Sequence, residues 1–284
     1  MGKYSDILLT ADFDRTLTAR DSTIPRRNLD AIRYFISQGG SFTVNTGRSL
    51  PMFHRFLNQV LVNAPLLLYN GSAAYDSRRE EFLFFSPIAM DQGETIRRIQ
   101  ALSKGLILEI QGRDKHYTFS PDPAYEAFYR EAGCPSGVTR PEMDVGPFIK
   151  LSVFGPLHNA TVAHLFQGSE EEVRYYDRVE AALREEYGDK LTILRVAPRI
   201  IDIHASGVSK GNAALELKEK LGKKLLLCAG DEQNDVSMLD AADYAFCPAD
   251  GAVASRYPNV CRCDDGAVAD IIYKKIPDIL AQRS

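Results

Sequence analysis

Short apolar runs alternate with helical spacing along the first 70 residues of the chain. Three continuous apolar or β-branched segments are too short for helices and predict buried strands at residues 7–9, 41–45 and 65–69. A helix is predicted to begin at Pro25 and to end at Gly39-Gly40. A second helix is predicted to begin at Pro51, with an apolar face made of Phe53, Phe56, Leu57 and Val60. This alternation predicts a parallel sheet with right-handed crossovers.

The pattern changes near residue 76. A helix is predicted at 91–103, followed by a strand hairpin at 106–111 and 115–119. A second helix is predicted at 170–187, followed by strands at 191–196 and 200–204. A helix at 121–130 and a strand at 149–154 lie between these groups. The Gly- and Pro-rich stretch 133–147 is expected to be irregular. This part of the chain predicts an inserted α+β domain with an antiparallel sheet.

The first pattern then resumes, with predicted helices and strands at 209–221, 225–228, 236–241, 244–247 and 268–280. The predicted fold class is therefore α/β. We expect a Rossmann-like parallel-sheet core of residues 1–86 and 206–284, and an inserted α+β domain of residues 87–205.

Composition narrows the class of protein. The 284 residues are 45% hydrophobic and 25% charged, with a net charge of −4, which disfavours nucleic-acid binding. The apolar runs are too short to span a membrane, and the N-terminus leaves no room for a secretory signal. Five cysteines without a Cys-x-x-Cys pair indicate a reducing compartment. We expect a cytoplasmic protein with neither a nucleic-acid nor a membrane partner.

Polar residues follow several predicted strands. They are Asp12, Asp14 and Thr16; Thr46, Gly47 and Arg48; Lys210; and Asp231, Asn234 and Asp235. The carboxyl ends of parallel strands share one sheet edge, so these loops are expected to converge. By itself, Asp-x-Asp also fits a solvated acidic turn. Together, several carboxylates, a lysine and glycine-exposed amides suit a site that holds a divalent cation and a phosphoryl group.

The order of these motifs resembles the haloacid dehalogenase (HAD) superfamily, in particular the Cof-type phosphatases with a C2 (type IIB) cap. The matching motifs are Asp12-Phe13-Asp14-Arg15-Thr16-Leu17-Thr18, Asn45-Thr46-Gly47-Arg48, Tyr69-Asn70-Gly71, Gly207-Val208-Ser209-Lys210-Gly211 and Gly230-Asp231-Glu232-Gln233-Asn234-Asp235. The resemblance implies that residues 87–205 form a cap that selects the substrate. It also implies hydrolysis of a small phosphorylated metabolite, with sugar phosphates favoured, by a monomer or homodimer.

The resemblance also implies roles for individual residues. Asp12 would be the nucleophile, Asp14 the general acid and base, and Lys210 a catalytic cation. Mg²⁺ would be held by Asp12, Asp14 (through its backbone carbonyl), Asp231 and Asp235. For Asp235, an acid that favours a helix N-terminus is an equally good interpretation. Phosphate or substrate binding would fall to Phe13, Thr46, Gly47, Arg48, Asn70, Lys210 and Asn234.

Arg15 departs from the pattern, because the family usually has glycine there; its bulk or charge could alter the loop. Within the inserted region, Arg113, Lys115 and His116 fit a solvated hairpin tip better than a substrate contact. His204 fits a structural role.

Other functions remain open at this stage. A sugar phosphomutase, a trehalose-, sucrose- or mannosylglycerate-phosphate phosphatase, or a non-catalytic phosphometabolite-binding protein would share these motifs. Residues 207–211 also match the Gly-x-Ser-x-Gly elbow of α/β-hydrolases. That fold needs a histidine after the serine, and all five histidines (His54, His116, His158, His164 and His204) precede Ser209. Ser209 is therefore predicted to be a helix N-cap.

Overall fold

The computed structural model describes residues 2–157 and 163–283, so His158 lies outside the described residues. Within them the strands are β1 (Ile7–Ala11), β2 (Ser41–Val44), β3 (Leu66–Leu68), β4 (Ala73–Asp76), β5 (Glu81–Phe85), β6 (Ile107–Gln111), β7 (His116–Thr118), β8 (Ser136–Val138), β9 (Lys150–Phe154), β10 (Leu191–Ala197), β11 (Ile200–Ala205), β12 (Leu225–Ala229), β13 (Tyr244–Pro248) and β14 (Asn259–Val260). The helices are α1 (Arg26–Ser37), α2 (Leu50–Phe53), α3 (Gln92–Leu102), α4 (Pro123–Glu131), α5 (Glu170–Tyr187), α6 (Lys210–Lys220), α7 (Val236–Ala241), α8 (Ala267–Asp270) and α9 (Ile276–Arg283).

The chain divides into two compact units. The first unit consists of Met1–Gly47, Phe56–Phe84 and Ser209–Ser284, and the second of Arg48–Arg55 and Phe85–Val208. The short segment 48–55 groups with the second unit, although it lies far from the rest of that unit in sequence. The division into residues 1–86 with 206–284 as catalytic core and 87–205 as cap stays a prediction. In the part of the chain that is described, no helix is both long and apolar enough to cross a membrane.

The first unit contains a five-stranded sheet in the order β14-β13-β12-β1-β2, and its paired neighbours are parallel. β1 and β12 are buried along their whole length, as is typical of parallel strands covered on both faces. This confirms the predicted α/β class. The carboxyl ends of β1, β2 and β12 lie side by side, which sets the place of the loops that follow them.

The second unit contains a six-stranded sheet in the order β10-β11-β9-β6-β7-β8. Its pairs are antiparallel except for β7 with β8. One face is apolar and packs against α3 and α5; its central residues are Leu108, Ile110, Leu151, Val153, Ile201 and Ile203. The other face carries polar residues that alternate with these: Glu109, Gln111, His116, Lys150, Ser152, Asp202 and His204. This is the predicted α+β arrangement.

Two local predictions are wrong, and a third is confirmed in part. β3 was expected in the parallel sheet, and Asn45 at the end of β2 forms a parallel bridge with Leu67 of β3. β3 also pairs antiparallel with β4, because Tyr69, Asn70 and Gly71 all have φ between 53° and 94° and reverse the chain at once. The helix expected after Pro51 ends at Phe53, and a tighter turn over 54–56 follows. In the stretch expected to be irregular, Ser136–Val138 forms an edge strand, since it pairs with β7 despite having no strand-like periodicity.

Candidate active site

Asp12 lies at the central position of this site. Its backbone N–H donates to the carbonyl of Ala229 at 2.8 Å, which extends the pairing of β1 with β12 by one residue. The wide turn Phe13–Leu17 begins immediately afterwards. The carboxylate is therefore held at the end of a buried strand, and its residue is only 7% exposed.

Lys210 is the first residue of α6 and lies beside Asp12. Its buried Nζ donates to Asp12 Oδ1 and to Asp235 Oδ1, each at 2.6 Å. Burial disfavours the ammonium, but the adjacent Asp12 and Asp235 charges outweigh it and raise the pKa of Lys210 above its ordinary value. Lys210 is thus a permanently charged ammonium between two carboxylates.

Neighbouring residues explain how Lys210 reaches this position. Ser209 caps α6 by accepting the N–H of Asn212 at 3.0 Å, which confirms its predicted capping role. A Cβ at Gly211 would lie 2.2 Å from the carbonyl oxygen of Ser237, so glycine permits the start of α6 to lie close to the start of α7. Asn45, at the end of β2, donates its side-chain amide to the Lys210 carbonyl at 2.9 Å.

Asp235 and Asp231 differ in how their oxygens are used. Asp235 Oδ2 accepts the backbone N–H groups of Asp231 and Glu232, while Oδ1 accepts Lys210. Asp231 Oδ1 accepts the Thr16 hydroxyl at 3.0 Å. Its buried Oδ2 has no hydrogen-bond partner among residues 2–157 and 163–283. Asp235 therefore braces the loop and Lys210, whereas Asp231 presents an open oxygen.

The carboxylates of Asp12, Asp231 and Asp235 have oxygens within 4.8 Å of one another. Burial, added to the neighbouring carboxylate charges, raises the pKa of Asp231 well above its ordinary value. Burial also raises the pKa of Asp12, despite the adjacent Lys210. If all three were ionised, the carboxylates would exceed the Lys210 ammonium by two negative charges in a buried place. The cluster therefore fits a divalent cation with oxygen ligands. Asp231 Oδ2 is the strongest candidate ligand, because burying a polar oxygen without a partner is unfavourable.

Residues expected at the phosphate lie next to the carboxylates in the first unit. Asn234 donates its side-chain amide to Asn70 Oδ1 at 3.2 Å. A Cβ at Gly47 would lie 2.8 Å from that same Asn70 oxygen. Thr46 is buried, and its carbonyl accepts the backbone N–H of Asn70 at 2.9 Å. The loops after β2, β3 and β12 thus meet through Gly47, Asn70 and Asn234.

The remaining predicted residues have different surroundings. The Phe13 ring is buried and packs against Phe56, with ring centres 4.7 Å apart, so only its backbone could face a ligand. Asp14 is partly exposed on the turn after Asp12 and lies outside the cluster of three carboxylates. Arg48 follows Gly47 in the chain as the first residue of the second unit.

Arg15 adopts a left-handed backbone conformation, with φ 59° and ψ 12°. Glycine takes this conformation without strain, whereas a residue with a Cβ is strained there by roughly 1–2 kcal/mol. The Arg15 guanidinium lies 3.8 Å from Glu232, and both side chains are partly exposed. Such a pair contributes little stability, so the departure from glycine leaves a net strain in the loop.

We expect Arg15→Gly to be more stable than Arg15→Ala by about 1 kcal/mol, because only glycine relieves the left-handed strain while both variants lose the ion pair. Urea unfolding monitored by circular dichroism measures the difference. Equal midpoints with equal slopes would show that the backbone here is not strained.

A second acidic cluster contains Asp250, Cys263 and Asp264. Arg20 already supplies a cation there, since its Nη2 lies 2.8 Å from Asp250 Oδ2. Burial and the nearby Asp250 raise the pKa of the Cys263 thiol to about 12, which disfavours the thiolate. This cluster is not a comparable metal site.

Sequence reasoning gave Asn45 no role, although this residue begins one of the matching motifs. Its contact with the Lys210 carbonyl could be seen only in the fold. The interpretation of His116 as part of a solvated hairpin tip is wrong, because its ring is fully buried beneath α4. Arg113 is exposed, as expected for a tip.

Comparisons with known proteins agree with this geometry. The family model of haloacid dehalogenase-like hydrolases matches residues 9–256. The HMP-PP phosphatase of Klebsiella pneumoniae (strain 342) is 23% identical over 253 residues, which cover 84% of this chain and 82% of that protein. A haloacid dehalogenase-like hydrolase from Bacteroides thetaiotaomicron has a similar fold, with TM-score 0.76, 18% identity and coverage of 96% and 100%. The HAD subclass IIB sugar phosphatase BT4131 has TM-score 0.71 at 18% identity, with coverage of 96% and 98%.

Proposed function

Because this chain belongs to the haloacid dehalogenase-like hydrolases, we propose that it is a magnesium-dependent phosphatase that acts on small phosphomonoesters, with Asp12 as nucleophile. The family match confirms the resemblance carried by the sequence motifs. The phosphatase name of the Klebsiella relative supports the reaction, and the fold shared with a subclass IIB enzyme supports the Cof-type assignment.

The observation that carries this proposal is the buried Lys210 between Asp12 and Asp235. Lys210 occupies Asp12 Oδ1, which leaves Oδ2 as the attacking oxygen. An ammonium fixed beside a carboxylate keeps that carboxylate in one orientation, and it can also stabilise charge on a phosphoryl oxygen. Asp235 has both oxygens engaged and keeps Lys210 in place.

The reaction then proceeds in two displacements. Asp12 Oδ2 attacks phosphorus as the bond to the ester oxygen breaks, and Asp14 gives its proton to the departing alcohol. In the second step, Asp14 takes a proton from water as the water oxygen attacks phosphorus. The bond from phosphorus to Asp12 breaks, which releases inorganic phosphate and leaves Asp12 as a carboxylate and Asp14 protonated, as at the start. Gly47, Asn70 and Asn234 would supply N–H groups to the phosphoryl oxygens.

Asp12, Asp231 and the backbone carbonyl of Asp14 would hold Mg²⁺, with Asp235 in support. The bound cation supplies positive charge that reduces the repulsion between a carboxylate nucleophile and a phosphate dianion. The cluster of three buried carboxylates and the open Asp231 oxygen support this assignment.

Sugar phosphates are the proposed substrate class, because a sugar phosphatase is among the proteins that share the fold of both units. The enzyme is proposed to be cytoplasmic and to act as a monomer or homodimer, without nucleic-acid or membrane partners. A panel of sugar phosphates, tested against the same concentrations of nucleotides, would measure this preference.

Release of p-nitrophenol from p-nitrophenyl phosphate tests the reaction class. We expect turnover with Mg²⁺ and none in EDTA. A folded protein without turnover on this ester or on a wide panel of phosphate esters would favour the non-catalytic alternative. Formation of an isomeric sugar phosphate instead of inorganic phosphate would favour a phosphomutase.

Mg²⁺ should also stabilise the fold independently of activity. A ligand at one hundred times its dissociation constant stabilises a protein by about 2.7 kcal/mol, so the thermal unfolding midpoint should rise clearly. Asp231→Asn should remove most of that rise, whereas Asp264→Asn in the other acidic cluster should retain it. Equal shifts in both variants would contradict the assigned metal site.

A further inference from the structure

A buried polar network in the second unit has no role in the proposed reaction. Glu109 on β6, His116 on β7 and Tyr129 on α4 lie on the polar face of the six-stranded sheet, and the first two are fully buried. Tyr129 donates its hydroxyl to Glu109 Oε2 at 2.6 Å, and Gln111 donates its amide to Glu109 Oε1 at 2.5 Å. Burying a carboxylate is unfavourable unless it is paired, and both Glu109 oxygens accept hydrogen bonds.

The network continues from Glu109 through His116 to Ser49. His116 Nδ1 lies 3.4 Å from Glu109 Oε1, and Nε2 lies 2.7 Å from Ser49 Oγ. Burial alone would raise the pKa of Glu109, but His116 and the hydrogen bonds hold it below its ordinary value. Glu109 lies on the Nδ1 side of the ring and Ser49 on the Nε2 side, so that His116 bridges the two residues.

Ser49 connects this network to the loop after β2. It is the N-cap of α2, and its Oγ accepts the N–H of Met52 at 3.2 Å. It also follows Thr46, Gly47 and Arg48 directly in the chain. The chain passes from the first unit to the second between Gly47 and Arg48, so this loop ends on a residue held by the second unit.

Serine, histidine and glutamate in this order are also the arrangement of a nucleophile, a base and its orienting acid. A nucleophile must be reachable by its substrate, and both Ser49 and His116 are fully buried. The Ser49 oxygen is further occupied by the Met52 N–H. A hydrolytic triad is therefore excluded, and a positioning role remains.

We infer that His116 is a positioning residue, and that the Glu109–His116–Ser49 chain fixes the loop of residues 46–48 so that its N–H groups meet the phosphoryl group. This inference rests on the proposed phosphatase function. Misplacement of binding groups by about 1 Å can reduce rates by about a hundredfold. The contact between Ser49 and His116 holds the residue that directly follows this loop.

The test compares Ser49→Ala, Ser49→Thr, His116→Gln and the double variant Ser49→Ala/His116→Gln. We expect Ser49→Ala and His116→Gln each to lower kcat/KM for p-nitrophenyl phosphate about tenfold and to weaken competitive inhibition by inorganic phosphate. Ser49→Thr keeps the hydroxyl and should restore both. The double variant should be no worse than the worse single variant, because both substitutions break the same link.

Ser103→Ala is the matched control, since it removes another buried serine hydroxyl of the second unit, which donates to the carbonyl of Ile99. It should leave kcat/KM and phosphate inhibition unchanged. If Ser49→Ala lowers kcat/KM and His116→Gln does not, the loss is due to the helix cap and the inference is overturned. Additive losses in the double variant would also overturn it. If His116→Gln does not fold, Glu109→Gln replaces it, because this variant removes the charge beside His116 Nδ1 without touching the helix cap; unchanged kcat/KM in Glu109→Gln would overturn the inference. Wild-type protein without any turnover would instead contradict the proposed function.

Discussion

Replacing Asp12 with asparagine should reduce turnover of p-nitrophenyl phosphate by at least about 10⁴-fold, because the amide cannot attack phosphorus. The substitution is nearly isosteric, and the amide oxygen can still accept the hydrogen bond of Lys210. The fold should therefore persist. Steady-state kinetics at saturating Mg²⁺ measure the loss, and turnover within tenfold of wild type would remove Asp12 from the role of nucleophile.

The same variant should change how stability depends on pH in EDTA. Burial raises the pKa of Asp12 from 3.8 to about 7 in the folded protein, so the native state keeps a proton that the unfolded chain has lost. Wild-type stability should therefore fall as pH rises from about 4 to about 7. Asp12→Asn carries no such proton, and its unfolding free energy should fall less over this range. Parallel pH curves from urea unfolding would contradict the burial argument.

Replacing Lys210 with methionine should lower kcat by about 10²–10³-fold, the usual effect of removing one preorganised donor from a charged transition state. The substitution also leaves Asp12 and Asp235 buried without their ammonium. Loss of one partner of a buried pair destabilises a protein by about 3–5 kcal/mol, although protonation of the carboxylates will reduce this. Kinetics and urea unfolding on the same preparation measure both effects.

Lys218→Met provides the control for that experiment. Lys218 lies on the same helix and pairs with Asp243 at 2.7 Å, but it is partly exposed and outside the carboxylate cluster. Loss of this ion pair should lower the free energy of unfolding only slightly and leave kcat unchanged. Near-normal turnover of Lys210→Met, or an equal loss in Lys218→Met, would show that Lys210 has no specific role.

Much of the architecture follows from local patterns. The apolar runs at β1 and β12 could only be buried strands, and helical spacing identified α1, α5 and α6. A parallel sheet could be inferred because strands and helices alternate along the chain. The motif residues then had to lie at one sheet edge, and the structure brings Asp12, Lys210, Asp231 and Asp235 together there.

Other features depended on contacts between distant residues. The antiparallel pairing of β3 with β4 requires left-handed backbone at Tyr69 as well as at Asn70, and tyrosine gives no indication of that conformation. The edge strand β8 forms only because β7 offers it unpaired backbone groups. His116 follows a hairpin turn, where a solvated side chain is the ordinary expectation, yet α4 covers it.

The sequence by itself determined the class of fold, the family and the residue types available for chemistry, because these depend on periodicity and on motifs of neighbouring residues. Only the tertiary structure decided how each oxygen and nitrogen is used. Asp235 and Asp231 look alike in sequence, yet one has both oxygens engaged and the other has an open, buried oxygen. The physical reason is that hydrogen bonding and burial depend on residues far apart in the chain, such as Thr16 with Asp231 and Ser49 with His116.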